Sequence, residues 1–415
     1  MLKTQQNIDS LRDEVMNDIS PYFSHIDDIA ERNTLKILSA FKKYQLSEYH
    51  FRSTSGYGYG DAGRDKLDEI WANIFNAESA LVRSQFASGT HAISTALFGI
   101  LRPGDELLSI TGAPYDTLQS VIGNINHSAG SLKEWGITYK EIPFGFSGIN
   151  YETIKQAITD RTAAVLIQRS RGYSMQRPSL KISEISEICK FVKTVNPKII
   201  CFVDNCYGEF VETLEPPAVG ADLIAGSLIK NPGGGIAVSG GYVAGKNELV
   251  ELVAYRLTAP GIGKHVGATL TDNRLFFQGL FIAPHVVAQA LKSAVFAASL
   301  FSKMGYRTNP LFDEKRSDII QAIELKTPEK MIAFCQALQE LSPVDAFVRP
   351  EPAPMPGYSD DVIMAGGTFV QGSSIELSAD GPIRPPYSIY LQGGITFEHA
   401  VLCIMNAAKA ISATN

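Results

Sequence analysis

Two residues in the middle of the chain have side chains suited to covalent chemistry on carbonyl groups. Asp204 ends the apolar run Ile199-Ile200-Cys201-Phe202-Val203, and Lys230 lies between Gly226-Ser227-Leu228-Ile229 and Asn231-Pro232-Gly233-Gly234-Gly235. With both runs as strands, the two side chains reach the same crevice. A lysine there, desolvated and followed by glycines, can lose its proton and form an imine. A carboxylate at the other strand end can hold a pyridinium nitrogen protonated, keeping such a ring an electron sink. Neither residue is diagnostic alone. A strand-end aspartate is commonly a cap, and a lysine before a glycine-rich loop is commonly solvated.

Two further stretches add to this pair. Phe86-Ala87-Ser88-Gly89-Thr90-His91-Ala92 joins a strand to a helix starting near Thr90. A helix N-terminus with unpaired N–H groups and nearby hydroxyls binds phosphate; the plainer reading is an N-cap by Ser88 or Thr90. Ser227 offers another hydroxyl to the same anion. Tyr115, in Gly112-Ala113-Pro114-Tyr115-Asp116-Thr117, follows a third strand. Its ring can stack on a planar ligand and its phenol can act as acid or base, or it can pack on the rim as a turn residue.

The elements that must position these groups show in the hydrophobic pattern. Candidate strands at Ala80–Arg83, Glu106–Ile110, Thr138–Ile142, Ala163–Ile167, Ile199–Asp204, Asp222–Ser227 and Gly241–Ala244, most of them short apolar runs, alternate with helical stretches such as Thr90–Leu101 and Ile182–Val195. Continuous apolar strands are covered on both faces, so this is an α/β fold with a mainly parallel sheet. Its ligand site belongs beyond the carboxyl ends of the strands. Residues 1–55 read as amphipathic helices associated with a smaller C-terminal unit, 56–285 as the large α/β domain, and 286–415 as a small α+β domain. The last contains an apolar helix (Val286 to Phe301), shorter segments at Val362–Val370, Ser373–Ser378 and Tyr387–Leu391, and a final helix from Phe397.

Composition narrows the partners. The 415 residues are 45% hydrophobic and 19% charged, with a net charge of −6. That is a folded chain with no electrostatic attraction for nucleic acid or anionic membrane, so small molecules are the expected ligands. Cys189, Cys201, Cys206, Cys335 and Cys403 are scattered without C-x-x-C pairs, which suits a reducing compartment and argues against a zinc site. The start lacks the layout of a signal peptide, and the apolar stretch Leu275–Leu291 is interrupted and short for a bilayer span. A cytoplasmic protein is expected, with no metal.

The ordered set is what is specific: small-polar phosphate turn, aromatic residue, strand-end Asp, then Ser-x-x-Lys before glycines. In this order the chain resembles fold-type I pyridoxal-5′-phosphate (PLP) enzymes, in the cysteine/methionine-metabolism branch that includes cystathionine β-lyase and methionine γ-lyase. A closer likeness, to the bacterial aluminium-resistance-protein or methionine-γ-lyase-like group, is carried by three stretches. They are Gly56-Tyr57-Gly58-Tyr59-Gly60-Asp61-Ala62-Gly63-Arg64-Asp65, Val203-Asp204-Asn205-Cys206-Tyr207-Gly208-Glu209-Phe210, and Ser227 through Gly235.

The resemblance implies an aspartate-aminotransferase-like fold and assigns roles. Lys230 forms the imine with PLP and shuttles protons, Asp204 pairs with the pyridine nitrogen, and Tyr115 stacks on the ring. Gly89, Thr90 and Ser227, with Ser88 beside them, hold the phosphate. In the wider branch a Tyr-x-Arg segment of a neighbouring subunit also reaches the phosphate. Here Tyr57, Tyr59 and Arg64 occupy that region without that spacing, and Tyr59 and Arg64 are the candidates. A homodimer or homotetramer follows. The substrate carboxylate calls for an arginine: Arg384 stands where the branch keeps one, and Arg169 and Arg171, after the strand Ala163–Ile167, compete. His91 is expected to support the site and Cys206 to pack. The implied reaction is β- or γ-elimination from a sulfur-containing amino acid such as cystathionine or methionine. Transamination, γ-replacement, or a non-catalytic PLP-binding role linked to metal tolerance are the alternatives.

Overall fold

The computed structural model describes residues 2–125, 129–145, 148–355 and 358–414. The chain begins with α1 (Leu2–Lys43), one helix where several were expected. Its buried stripe of Val15, Ile19, Ile26, Ile37 and Ala40 stays on one face throughout. Pro21 lies on the exposed face, where water can satisfy the carbonyl that its missing N–H leaves free. Helix α2 (Ala62–Ile74) is capped by Asp61, which accepts from the Arg64 N–H, and buries Leu67, Ile70, Trp71 and Ile74 as their spacing predicts.

An alternating series follows: β1 (Ser79–Arg83), α3 (Gly89–Ile100), β2 (Glu106–Ser109), α4 (Asp116–Ile122), β3 (Thr138–Glu141), α5 (Tyr151–Ala157) and β4 (Thr162–Gln168). It continues with α6 (Ile182–Val195), β5 (Ile200–Asp204), β6 (Leu223–Ser227), β7 (Gly241–Gly245) and α7 (Asn247–Leu257). The seven strands form one sheet in the order β1-β7-β6-β5-β4-β2-β3. Only β7 runs against its neighbours, β1 and β6. Each strand lies within a residue or two of its predicted position.

Side-chain alternation divides the interior. Val165, Ile167, Cys201, Val203 and Ile224 face one core, while Ala164, Leu166, Phe202, Leu223 and Ala225 face the other, with Ala92, Ile93 and Ala96 of α3 and Val250 and Val253 of α7. Both faces are covered, which is why these strands read as unbroken apolar runs.

The remainder comprises α8 (Arg274–Lys303), β8 (Arg307–Asn309), β9 (Gln321–Glu324), α9 (Pro328–Glu340), β10 (Val362–Ala365), β11 (Ser378–Pro382), β12 (Ser388–Gln392) and α10 (Phe397–Ala413). Five of these are strands of an antiparallel sheet, ordered β10-β11-β12-β9-β8. Helix α8 starts well before the predicted Val286 and runs through Pro284. Buried side chains on both sides of the proline, Phe276, Phe277 and Leu280 before it and Val286 and Val287 after it, hold the helix across the lost hydrogen bond. It is long and apolar enough to span a bilayer, yet most of it is buried inside the fold. The segment Ser373–Ser378 is irregular, and β11 begins at its last residue. Ser-Ala-Asp-Gly-Pro has little intrinsic strand preference; pairing with β10 and β12 on either side makes it one.

Candidate active site

Strands β5 and β6 are parallel neighbours, with Asp204 beside Ala225 in register. Asp204 and the turn after β6 therefore open at the same end of the sheet, and that turn carries Lys230. Its ammonium lies 3.9 Å from the ring centroid of Tyr207. Tyr207 follows Asp204 closely and has a φ of +71°, a backbone conformation that side chains other than glycine, Asn and Asp rarely adopt. The Asp204 carboxylate accepts from the Cys206 N–H at 3.1 Å. Burial pushes the Asp204 carboxyl upward, partly offset by Lys230 and that N–H. Burial alone pushes the Lys230 ammonium down, but Cys206, Tyr207 and Asp204 outweigh it and hold it above the ordinary lysine value.

The start of α3 faces this pair. The Ser88 hydroxyl caps the helix, accepting from the His91 N–H at 3.1 Å, and His91 Nδ1 accepts from the Ala87 N–H at 3.0 Å. Both therefore shape the turn, and Ser88's oxygen is committed to its cap. Gly89 leaves a hollow: a Cβ there would sit 3.1 Å from Ser227 Cβ and 3.4 Å from Cys206 Sγ. The Thr90 hydroxyl is 2.9 Å from that of Thr117. Burial raises the Cys206 thiol well above its usual range, which fits a packing role. Helix-terminal amides, a glycine hollow and hydroxyls from Thr90 and Ser227 form an anion cradle. Thr90, Tyr115, Asp204, Cys206, Tyr207 and Lys230 line one cleft. An amine, a carboxylate facing it, an aromatic ring and an anion cradle together fit the aldehyde, pyridine nitrogen, ring face and phosphate of PLP.

The opposite wall is aromatic. Tyr115 precedes α4, and its N–H donates to Gln168 Oε1 at 2.8 Å. Arg177 bonds the carbonyls of Thr111 and Ala113 and so fixes the turn ahead of Tyr115. The Tyr115 hydroxyl is hydrogen-bonded to that of Tyr358. Its ring lies 5.4 Å from that of Tyr173, which lies 5.1 Å from Tyr390. Burial raises the Tyr115 phenol well above its usual value. Behind the tyrosines, Asp380 of β11 is buried, and burial pushes its carboxyl up to about 7. Tyr207, Tyr173, Tyr358, Asp380 and Gln168 were not singled out by sequence reasoning. Only Tyr207 sat inside a recognised stretch; the others stand alone in the chain.

The arginines separate sharply. Arg384 lines a neighbouring pocket with Tyr173 and Tyr390 rather than the cleft itself, half-exposed and paired with Asp360 at 2.8 Å. Arg169 and Arg171 do not line the cleft, which corrects the expectation that either could compete. Beyond β4 the extended chain alternates sides, so Gln168 and Ser170 face the cleft and the arginines point away. Arg169 bonds Asn205, Glu212 and Glu215 behind the site. Arg171 is buried, donates to the Asn309 carbonyl at 2.8 Å, and lies 4.0 Å from Asp318. Arg64 is likewise committed within its own chain, to the carbonyls of Gly58 and Gly267 at 2.9 and 3.0 Å and to Asp65, leaving it unsuited to the phosphate role. Tyr59 is 72% exposed and packs on Tyr57 with ring centroids 5.5 Å apart, outside the cleft of its own chain.

Comparison with known proteins agrees with this geometry. Residues 8–412 match the methionine gamma-lyase family. The chain is 54% identical to the protein YnbB of Bacillus subtilis (strain 168), over 96% of this chain and 95% of that one. The crystal structure of a carbon–sulfur lyase involved in aluminium resistance from Clostridium novyi NT superimposes with a TM-score of 0.94 at 51% identity, covering 99% of this chain and 98% of that one. The pyridoxal-5′-phosphate-dependent protein YhfS of Escherichia coli, at 16% identity and a TM-score of 0.62 over 94% of this chain and 97% of its own, shares the fold alone.

Proposed function

Because the chain belongs to the methionine gamma-lyase family, we propose that it is a PLP-dependent carbon–sulfur lyase, eliminating a thiol from Cβ or Cγ of a sulfur-containing amino acid. The observation that carries this reading is the meeting of Lys230 and Asp204, from adjacent parallel strands, with the start of α3 across one cleft. Lys230 would hold the aldehyde carbon of PLP, Asp204 its ring nitrogen, Tyr115 its ring face, and Gly89, Thr90 and Ser227 its phosphate. When bound, PLP supplies an electron sink for negative charge developing at the substrate Cα.

The remaining work falls to this chain's own groups. The Lys230 amine takes the Cα proton, and Tyr207 beneath it limits where that amine swings. Elimination from Cγ requires a second proton to leave Cβ, within reach of the same amine. The Tyr115 hydroxyl delivers a proton to the departing sulfur. Arg384, in the pocket beside the cleft, orients the substrate by its carboxylate. The tyrosine wall keeps water from the reacting carbon. A neighbouring copy of the chain would cover the exposed Tyr57 and Tyr59, so the working unit is proposed to be a homodimer or homotetramer.

The Clostridium novyi relative's description as a carbon–sulfur lyase supports the same chemistry. Incubation of the cofactor-loaded protein with L-cystathionine, L-methionine and L-cysteine tests it. A lyase releases ammonia, a 2-oxo acid and a thiol (sulfide from cysteine) with no second substrate. Turnover that appears only after an oxo acid is added would make the protein an aminotransferase instead.

A further inference from the structure

The two groups that the scheme above needs at the substrate, the Tyr115 hydroxyl and the Arg384 guanidinium, are both engaged by one short segment ahead of β10. Strand β10 pairs with β11, Val362 opposite Pro382, and the Ile383 N–H carries the pairing on by donating to the Asp361 carbonyl at 2.8 Å. Asp360 and Arg384 come next, and the ion pair between them is 2.8 Å long. Tyr358, two residues before Asp360, is hydrogen-bonded to the Tyr115 hydroxyl. Its ring lies 6.1 Å from that of Tyr115 and 5.8 Å from that of Tyr173. Asp116, the residue after Tyr115, feels the charges of both Arg384 and Asp360, which puts the guanidinium in range of the Tyr115 turn although it lines the neighbouring pocket. The Asp360 carboxylate thus makes to Arg384 the contact that an amino acid's carboxylate would make. The pair is half-exposed and therefore weak, so a ligand carboxylate can take Asp360's place without leaving a buried charge unpaired.

We propose that Asp360 is a specificity-determining residue: it stands in for the substrate carboxylate on Arg384 and yields only to a ligand that brings a carboxylate of its own. This rests on Arg384 as the carboxylate clamp of the lyase reading. Only Ser359 separates Asp360 from Tyr358, so Tyr358 leaves the Tyr115 hydroxyl as Asp360 gives up Arg384. Arrival of a carboxylate then frees Tyr115 for the departing sulfur, whereas a ligand without one leaves it engaged. The class selected is sulfur compounds with a free amino-acid carboxylate. The exchange weakens the apparent affinity of every such ligand, because only molecules in which Asp360 has released Arg384 are ready to bind.

The test titrates the cofactor-loaded, full-length protein by calorimetry with desamino-methionine, a carboxylate that lacks the amine and is not turned over, and with its neutral amide. Asp360→Asn should bind the acid ~2- to 5-fold more tightly than wild type and the amide equally. Arg384→Ala should lose ~10-fold or more in affinity for the acid alone. Removing a negative charge favours any anion, so Tyr358→Phe, which changes no charge, isolates the displacement. It should tighten acid binding by ~2-fold or more in the wild type and add nothing in Asp360→Asn. Unchanged acid affinity in Asp360→Asn would overturn the proposal, as would a Tyr358→Phe effect that is absent from the wild type or equal in both backgrounds. Arg384→Ala binding the acid as wild type does would overturn it too. None of these titrations involves turnover. A wild type that eliminates nothing from any amino acid would sink the lyase reading, and the titrations would still decide whether Asp360 yields Arg384 to a ligand carboxylate.

Discussion

The rear and front walls of the cleft are built from different kinds of sequence. The rear wall takes Asp204, Ser227, Lys230 and the start of α3 from strand ends and the turns that follow them, each within a short continuous stretch. The front wall takes Tyr173, Tyr358, Asp380 and Arg384 singly, from connecting segments and the small sheet. Parallel-strand geometry delivers the rear groups to one crevice whatever the rest of the chain does. The front groups meet only when the small sheet closes on the large one. The rear wall thus suits chemistry common to many substrates, and the front wall suits choosing among them.

Variants should divide along this line. The largest effect is expected from Lys230→Ala, which should cost ~10³-fold or more in kcat and abolish visible absorbance of the bound cofactor. Asp204→Ala should follow, with weakened cofactor retention. Equal activity in either variant would remove the rear wall from the chemistry. Arg169→Ala should act on folding instead. Its partner Glu215 is fully buried, so leaving that charge unpaired should lower stability by ~3–5 kcal/mol in urea unfolding.

Arg384→Ala should show the opposite profile. It should raise KM by ~10-fold or more, while the half-exposed pair with Asp360 contributes ~1 kcal/mol or less to stability. A rise in KM for Arg171→Ala and none for Arg384→Ala would reverse the assignment of the carboxylate clamp.

The smallest effect concerns pH and stability. The Asp380 carboxyl titrates near 7 when folded and near ~3.9 when unfolded. Between those values the folded chain holds a proton that the unfolded chain has lost. Stability is therefore full below the unfolded value and declines as pH rises through the folded one. Asp380→Asn should flatten that decline, seen as a smaller difference in melting temperature between pH 5 and pH 8. An unchanged slope would mean that the folded carboxyl is already ionised.

The same division explains what could be read from sequence. The strands of the large sheet were legible because most are buried on both faces and largely apolar; the edge strand β3 (Thr138–Glu141) is the polar exception. β11 was not legible, since Ser378-Ala379-Asp380-Gly381-Pro382 owes its conformation to its neighbours. Proline does not stop either long helix: tertiary packing carries α1 past Pro21 and α8 past Pro284. For Arg169 and Arg171 the strand end was legible and the side was not. A shift of one residue in an extended chain exchanges cleft for interior, and only the observed register shows that Gln168 and Ser170 won the cleft. Arg64 was placed by likeness of position, while its hydrogen bonds go to Gly58 in the turn before it and to Gly267 in a loop more than two hundred residues away.

The most direct test is to load the protein with PLP, reduce it with borohydride, and map the modified peptide by mass. A single pyridoxyl group on Lys230, absent from Lys230→Ala, is the predicted result. A group found on another lysine, or a chain that takes up none while still turning over its substrate, would contradict it.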